Sequence, residues 1–303
     1  MGWRFFVTCG KIKEKGGEDM ANKENVSLGR LFARLMVMFF IALVLLAGVP
    51  VLGIFLWAAH LDAKHDRQEP QVEQNAISYL EQQYPGHDFE IASLGHNFKD
   101  NTFDVKVQSR GSMDTHFTLK FRDDTLELET DTYEWAVVNR GNVRERIVEA
   151  YKARTKQALK DLPGVSLILP DFMVYKENSG NDLYFSPMGL DTQTLKLDGI
   201  YDAAAMGNDY GYLELWFTEE PEDIHLEHLA QRFRQVDGAL TQAGIGYRVM
   251  NIKLRTPEGE TKLSVFDVLR EDIRAENFPE RLRELWEAQE AKRQERQKES
   301  NSQ

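Results

Sequence analysis

Two histidines three residues apart, His225 and His228, form the chemical pattern with the most specific spacing in this sequence. On a helix this spacing places both imidazoles on one face, as a pair of zinc ligands requires. Glu222 and Glu227 lie nearby in the sequence, but the motif His-Glu-x-x-His is absent and no third ligand follows at a fixed spacing. Because solvated histidines on a helix face are the common alternative, we predict no metal site here.

A second group of residues has the types that Ser/His/Asp hydrolases use. It combines Ser112 with three histidines and three aspartates close to one another in the sequence: His87, His96, His116, Asp88, Asp100 and Asp114. No Gly-x-Ser-x-Gly pattern surrounds Ser112. Polar residues at such positions commonly form turns and strand ends, where they hydrogen-bond to the local backbone. The sequence therefore predicts no catalytic residue.

Two acidic clusters offer oxygen ligands of the kind that calcium prefers. They consist of Asp198, Asp202 and Asp209, and of Glu219, Glu220, Glu222 and Asp223. Neither cluster has the Asp-x-Asp-x-Asp-Gly spacing of an EF-hand loop. Acidic residues before a helix are also favoured by the helix dipole alone. We predict no cofactor, and calcium binding by these clusters stays an open alternative.

The element that governs where these side chains are displayed is a run of 25 uncharged residues, 35–59. As a helix it would extend about 37 Å, which exceeds the roughly 30 Å hydrocarbon core of a bilayer. The run is longer than the apolar part of a cleaved signal peptide, and Trp57 stands where a cleavage site requires small residues. We predict one transmembrane helix at 35–59, with the lipid bilayer as its partner.

Charges beside this run predict its orientation. Residues 1–34 carry seven Lys and Arg and four acidic residues, a net charge of +3, whereas only Lys64 and Arg67 follow the run closely. By the positive-inside rule, the tail 1–34 is cytoplasmic and the C-terminal region is extracellular, so the protein is a single-pass protein of the cell membrane. The whole chain carries −12, so residues 35–303 carry −15, which disfavours nucleic acid as a partner.

The cytoplasmic tail contains the only cysteine and a second candidate start codon. Cys9 precedes the apolar run, so the exported region has no disulfide and no thiolate metal site. We hypothesise that translation starts at Met20 rather than Met1, because Gly16-Gly17-Glu18 could be encoded by a purine-rich ribosome-binding sequence.

Hydrophobic spacing in the exported region predicts an α+β fold. A charged tether is expected at 60–71, followed by two small domains of antiparallel sheet plus helix, 72–162 and 163–285. In the first, a helical pattern up to Tyr84 gives way to two-residue alternation, as expected for a helix against an antiparallel meander. The polar segment 286–303 is predicted to be a helical or disordered tail.

Several segments resemble the YfjL-like family of membrane-anchored proteins from Bacillus-type Gram-positive bacteria. They are Tyr79–Ile91 (Tyr-Leu-Glu-Gln-Gln-Tyr-Pro-Gly-His-Asp-Phe-Glu-Ile), Asn97–Asp100, Ser112–Phe117 and, for the C-terminal pattern, Glu271–Phe278. The resemblance covers residues 70–285 and is stronger in the first half. It implies a two-part exported region whose first domain is cystatin-like. The family has no assigned activity, so the resemblance supplies no site residue.

Two functions are compatible with these sequence features. The first is a non-enzymatic interaction or sensory module at the cell surface, with a membrane or cell-wall protein as its partner. The alternative is an extracytoplasmic hydrolase that acts on cell-wall material through two carboxyl groups about 5–10 Å apart. Because no catalytic pattern is present, the non-enzymatic function is the favoured expectation.

Overall fold

The computed structural model describes residue 32 and residues 35–40, 63–178 and 182–301. Contacts within the chain divide it into two compact units, residues 1–70 and residues 71–303. Each unit makes most of its contacts within itself.

In the first unit, residues 35–40 are helical. The rest of the predicted transmembrane helix, residues 41–59, lies outside the described residues. Among the described residues, no helix is long and apolar enough to cross a membrane. The anchor at 35–59 therefore stays a prediction.

The segment predicted as a tether, 60–71, is helical from residue 63, in a helix (α1) that ends at residue 83. Its charged composition does not prevent a helix, because Lys, Glu and Arg have high helix propensity and remain in water on an exposed face. In the second unit, α1 buries Val72, Ala76 and Leu80 at the predicted spacing of four residues. The chain then reverses at Gly86, whose φ of +80° suits glycine.

An antiparallel sheet of four strands follows α1, in the order β1-β2-β3-β4. The strands are β1 (Phe89–Asn97), β2 (Thr102–Ser109), β3 (His116–Arg122) and β4 (Leu128–Asp131). On β2, Phe103, Val105 and Val107 are buried and alternate with more exposed polar residues, because successive side chains of a strand point to opposite faces. This confirms the antiparallel meander, while its likeness to cystatins stays a prediction.

The second half of this unit contains a second sheet and most of the helices. After a π-helical turn at Glu134–Val138, the elements are α2 (Gly141–Leu159), β5 (Val165–Phe172), β6 (Val174–Tyr175), β7 (Phe185–Ser186), α3 (Ala203–Tyr210), β8 (Gly211–Thr218), α4 (Leu226–Gln242), β9 (Val249–Arg255), β10 (Thr261–Leu269), α5 (Arg270–Arg274) and α6 (Phe278–Asn301). The four long strands pair in the order β10-β9-β8-β5. Together the helices and the two four-stranded sheets confirm an α+β fold in which most strand pairs are antiparallel, while the short strands β6 and β7 form a separate parallel pair.

One strand pair in the second sheet departs from the predicted antiparallel pattern. β8 and β9 are parallel, with Leu213 opposite Met250 and Leu215 opposite Ile252. The helix α4 connects these two strands and returns the chain to the end of the sheet where β8 began, which is how parallel neighbours are joined. The second sheet is therefore mixed rather than wholly antiparallel.

The helix α2 packs in the core of the second sheet. Its Val143 and Ile147 are buried in the cluster formed by that sheet and its helices. The sequence placed this helix in the first domain, 72–162, because the next break in the pattern is at Leu162-Pro163. Residues of the turn at Glu134–Val138 still pack on the first sheet, so the chain changes cores directly after that turn. The domain boundary at residue 162 itself stays a prediction.

The predicted tail begins inside α6. Phe278 and Leu282 of this helix are buried in the second core, whereas the side chains from residue 291 to residue 300 are exposed. The described residues of the segment 286–303 are helical up to residue 301. The apolar residues of the first turns dock the helix, and the polar remainder has no face that could join the core.

Candidate functional site

Of the two histidines at the start of α4, one caps the helix and the other lies beside a buried carboxylate. His225 is the N-cap, and its Nδ1 accepts a hydrogen bond from the backbone N–H of His228 at 3.2 Å. The Nε2 atom of His228 lies 3.4 Å from Oε2 of Glu219, a buried carboxylate that Arg232 also binds, at 2.6 Å. These contacts give both histidines a structural role at the start of α4.

The structure separates His87 and His96 from Ser112, whereas His116 and Asp114 lie near it. Ser112 Oγ is 2.7 Å from Thr115 Oγ1 and 3.0 Å from Asp198 Oδ1. The ring of His87 stacks on Phe89 at 5.1 Å, and His96 lies 3.7 Å from Asp123. His116 lines the same open pocket as Ser112, but none of the described hydrogen bonds of Ser112 is to a histidine, so the described contacts do not assemble a triad from these residues.

Asp114 joins the two halves of the second unit. Its carboxylate accepts two hydrogen bonds from Arg146 of α2, from Nε and Nη2, each at 2.8 Å, and a third from the backbone N–H of Asp198 at 2.7 Å. The guanidinium of Arg146 lowers the pKa of Asp114 below its usual value, although burial acts in the opposite direction. Asp114 is 1% exposed, so we assign it a structural role.

The acidic residues considered for calcium are partly used by the fold. Asp202 is the N-cap of α3, where it accepts hydrogen bonds from the N–H groups of Ala204 and Ala205. Asp198 accepts hydrogen bonds from Ser112 and from the backbone of Asp114. Capping and loop contacts of this kind explain why carboxylates stand at these positions. Calcium binding by the two clusters stays an open alternative.

An open groove between α1 and β1 encloses about 590 Å³. Its apolar lining consists of Ile77, Leu80, Tyr84, Phe89 and Ile91, and its acidic lining of Glu73, Glu81 and Glu90. The groove forms because the reversal at Pro85–Gly86 brings the end of α1 beside the start of β1. Ile77 is 37% exposed, so an apolar side chain on the wall of this groove remains in contact with water.

Aromatic rings form the floor of this groove. The ring of Phe89 lies 5.7 Å from Tyr84 and 5.2 Å from Phe117, both edge to face. The hydroxyls of Tyr79 and Tyr84 both donate to Oδ2 of Asp131, at 2.9 and 2.6 Å. Burial and the carboxylate of Asp131 raise the pKa of Tyr79 to about 12. This packing holds the floor in one arrangement.

The edge of β1 that faces away from β2 borders the same groove. The N–H of Arg110 donates to the carbonyl of Asp88 at 3.4 Å, and in an antiparallel pair the bonded positions alternate. Glu90 is therefore bonded to β2, while the N–H and C=O groups of Phe89 and Ile91 point away from it. β1 is nine residues long, contains no proline and is an outer strand of its sheet. Such an edge can accept another strand.

The sequence did not identify this groove. Its residues come from both sides of the turn at Pro85–Gly86, and each looks like an ordinary core or surface residue in the linear pattern. Ile77 was the available signal, because it follows Ala76 and extends the apolar stripe of α1 beyond the residues that the core needs. The acidic residues Glu73 and Glu81, eight positions apart, mark the rim but resemble any solvated helix face.

A second polar site lies on β10. Asp267 has a φ of +58° at an irregularity in this strand, and its N–H donates to Oδ1 of Asn251 at 2.6 Å. The amide of Asn251 donates in turn to the hydroxyl of Tyr212. Burial raises the pKa of Asp267, and the charge of Asp182 raises it further. A strained residue with a raised carboxyl pKa is typical of functional positions.

Comparison with known proteins leaves the family open. No family model matches the chain, and no curated protein matches it. A DUF5037 family protein from Ruminococcus gnavus, known from a crystal structure, is similar at 12% identity over 59% of this chain and 72% of that chain, with a TM-score of 0.18. A TM-score this low carries no argument about fold or function.

Proposed function

We propose that this chain is a single-pass membrane protein whose extracellular region binds an extended segment of a membrane or cell-wall protein in the groove between α1 and β1. The observation that carries this proposal is the combination of an apolar groove with a strand edge whose backbone groups point outward at Phe89 and Ile91. Peptides that add a strand to a sheet obtain affinity from the backbone and specificity from such pockets.

The charges around the groove determine which partner segment is favoured. Glu73, Glu81 and Glu90 line it, and Glu90 is paired with Arg110 at 2.6 Å, which leaves an excess of negative charge. A partner segment with apolar residues alternating with Lys or Arg matches both the groove and its rim. A second copy of this chain fits less well, because each copy carries a net charge of −12.

Two synthetic ten-residue peptides test the groove, one alternating Val and Lys and the other alternating Val and Glu. We expect the Lys peptide, unlike the Glu peptide, to bind the full chain in detergent micelles and to slow amide hydrogen exchange in β1. We expect Glu73→Lys combined with Glu81→Lys to weaken this binding roughly tenfold, which corresponds to about 1.4 kcal/mol.

The matched control for this experiment is Glu276→Lys combined with Glu287→Lys, which makes the same charge change at exposed positions outside the groove. If both double variants weakened binding equally, the attraction would be that of net charge alone. Protection of a strand other than β1 would also contradict the proposal.

The anchor is tested by adding protease to intact protoplasts that make the full chain. We expect cleavage within the region after residue 60, because the cations of the tail 1–34 hold that tail in the cytoplasm. A C-terminal half that resists protease until the membrane is permeabilised would reject the predicted orientation. Recovery of the chain in the soluble fraction would reject the anchor.

The second candidate function is a carboxylate-dependent hydrolase of cell-wall material, which Asp267 favours. A carboxyl whose pKa is raised by burial and by the charge of a second carboxyl, here Asp182, has the properties of a general acid. We expect that, on this second proposal, the full chain releases soluble saccharide from purified wall and that Asp267→Asn abolishes the release. Equal release by both proteins, or none by either, would remove this candidate.

A further inference from the structure

A second cavity, of about 330 Å³, lies in the second half of residues 71–303 and is lined by arginines. Arg248 directly precedes β9, and Arg270 and Arg274 stand at the two ends of α5. Asn208 and Tyr247 complete the polar part of the lining. Three guanidinium groups around one cavity are unusual in a chain whose net charge is −12.

A single carboxylate accounts for two of these arginines. Asp237 of α4 accepts hydrogen bonds from Nε of Arg270 at 3.1 Å and from Nε and Nη2 of Arg274 at 3.0 Å each. The hydroxyl of Tyr247 donates to the same carboxylate at 2.9 Å. Two positive charges thus share one negative charge, and this cluster keeps a net charge of +1.

The third arginine adds to that excess. The closest described contact of the Arg248 guanidinium is the sulfur of Met188, 3.2 Å from Nη2. No carboxylate among the described residues forms an ion pair with Arg248. The backbone N–H of Arg248 donates to the carbonyl of Gly211 at 2.8 Å, which fixes the start of its side chain. Even with the carboxylate of Glu271 at the rim, the cavity carries a net charge of +1.

The wall of this cavity is held rigidly. Nη1 of Arg270 donates to Oδ1 of Asn208 at 2.7 Å, Nη2 donates to Oγ1 of Thr241 at 3.1 Å, and the guanidinium lies 4.8 Å from the centre of the Tyr247 ring. A side chain fixed in this way loses little entropy when a ligand binds. Arg274 is 47% exposed, so it remains accessible to a ligand that enters from the solvent.

We propose that this cavity is a binding site for a small oxyanion, a phosphate or carboxylate group, which Arg248 and Arg274 hold while Arg270 forms the fixed wall behind them. The Arg248 guanidinium can bind either kind of group through paired N–H···O hydrogen bonds, whereas Arg274 already donates Nε and Nη2 to Asp237 and would contribute its Nη1. The source of the group is either a free anion or the phosphate of a larger ester. This site is independent of the groove beside β1, and neither proposal requires the other.

The test is a calorimetric titration of the full chain in micelles with three probes: inorganic phosphate, glycerol phosphate and succinate. We expect saturable binding of at least one probe and at least a tenfold loss of affinity in Arg248→Gln. This substitution leaves the contacts of Asp237 in place, because its partners are Arg270, Arg274 and Tyr247. Tighter binding of glycerol phosphate than of inorganic phosphate would identify an ester as the source, and the reverse order a free anion.

The matched control is Arg281→Gln, which removes an exposed guanidinium that pairs with Asp272 outside the cavity. We expect this variant to bind as the unmodified chain does. Equal loss in Arg248→Gln and Arg281→Gln, displacement of the probe by chloride at equal concentration, or no saturable binding of any probe would overturn the proposal. Arg274→Gln serves only as a second variant, because it also removes a partner of Asp237.

Discussion

The outer strands β1 and β10 belong to different sheets, and their free edges are treated differently. The side chain of Gln289 on α6 covers the edge of β10: it accepts a hydrogen bond from the N–H of Phe266 at 3.2 Å and donates one to the carbonyl of the same residue at 2.8 Å. No described side chain forms a comparable pair with the outward backbone of Phe89 or Ile91 on β1.

Uncovered strand edges promote association with other chains, and proteins generally protect them. Of these two outer strands, β10 is covered by a glutamine that matches both backbone groups of Phe266, while β1 borders an apolar groove with an acidic rim. This difference supports the assignment of β1, rather than β10, to partner binding.

The largest effects are expected from substitutions in the two cores. Phe103→Ala on the first sheet and Phe217→Ala on the second each remove a fully buried ring, and each should lower the free energy of unfolding by about 3–5 kcal/mol. Because residues 71–303 form one compact unit, we expect each substitution to shift a single urea transition. Two transitions, of which each variant moves only one, would instead show that the two cores unfold as separate domains.

The second-largest effect is expected for the ion pair between Asp114 and Arg146, which joins the two halves of residues 71–303. Asp114→Ala leaves the guanidinium of Arg146 without its carboxylate and should lower the free energy of unfolding by about 3 kcal/mol. The pKa of Asp114 is lowered in the folded protein, so its stabilisation is present above the ordinary Asp pKa and is lost as the pH falls. The difference between the variant and the unmodified chain should therefore narrow below about pH 4.

The control for Asp114 is Asp124, which forms the same two-bond contact with Arg122, at 3.1 Å for each bond, on the protein surface. Asp124→Ala should leave the unfolding midpoint unchanged, because water already solvates both groups. If urea unfolding at pH 7 showed an equal loss of unfolding free energy in the two variants, burial would not decide how much Asp114 contributes to stability.

A smaller effect is expected when the edge of β10 is uncovered. Gln289→Ala removes two hydrogen bonds to Phe266 and should lower the free energy of unfolding by about 1 kcal/mol. It should also increase self-association in sedimentation experiments, because β10 then resembles β1. Gln294→Ala, an exposed position on the same helix, is the control, and similar behaviour of both variants would contradict the role assigned to Gln289.

The smallest effect is expected beneath the groove. Tyr79→Phe removes one of two hydroxyls from Asp131 and should lower the free energy of unfolding by about 0.5–1 kcal/mol at pH 7. Burial raises the pKa of Tyr79 to about 12, so its contribution is complete below the unfolded value near 10 and is lost as the pH rises to about 12. Thermal unfolding between pH 9 and pH 12 measures this decline.

The control for this titration is Tyr175→Phe, an exposed tyrosine on β6. The stability of that variant should fall with pH in parallel with the unmodified chain, while that of Tyr79→Phe should fall less steeply. Parallel curves for all three proteins would indicate that the hydrogen bond to Asp131 does not hold the proton of Tyr79 in place.

Local patterns in the sequence predicted the elements of the described fold well. The alternation of Phe103, Val105 and Val107 predicted β2, and the spacing of Val72, Ala76 and Leu80 predicted the buried face of α1. These patterns suffice because the periods of a strand and of a helix differ, and each is read from a few adjacent residues. The same reasoning correctly gave an α+β fold whose sheets are antiparallel apart from the parallel pairs β8–β9 and β6–β7.

Chain order is a poor guide where packing is non-local. It placed α2 with the first sheet, and it gave no sign that β8 and β9 are parallel or that Arg248 approaches Arg270 and Arg274. The groove beside β1 was missed for the same reason, since its walls come from two elements joined by a turn.

The sequence by itself therefore determined the buried faces of α1 and β2, the acidic charge of the chain, and the apolar run at 35–59 that predicts a membrane anchor. Only the tertiary structure decided which sheet receives α2, which strand edge is covered, and which charged side chains meet. The physical reason is that periodicity is a property of neighbouring residues, whereas these contacts join residues far apart in the chain and depend on how complete elements pack.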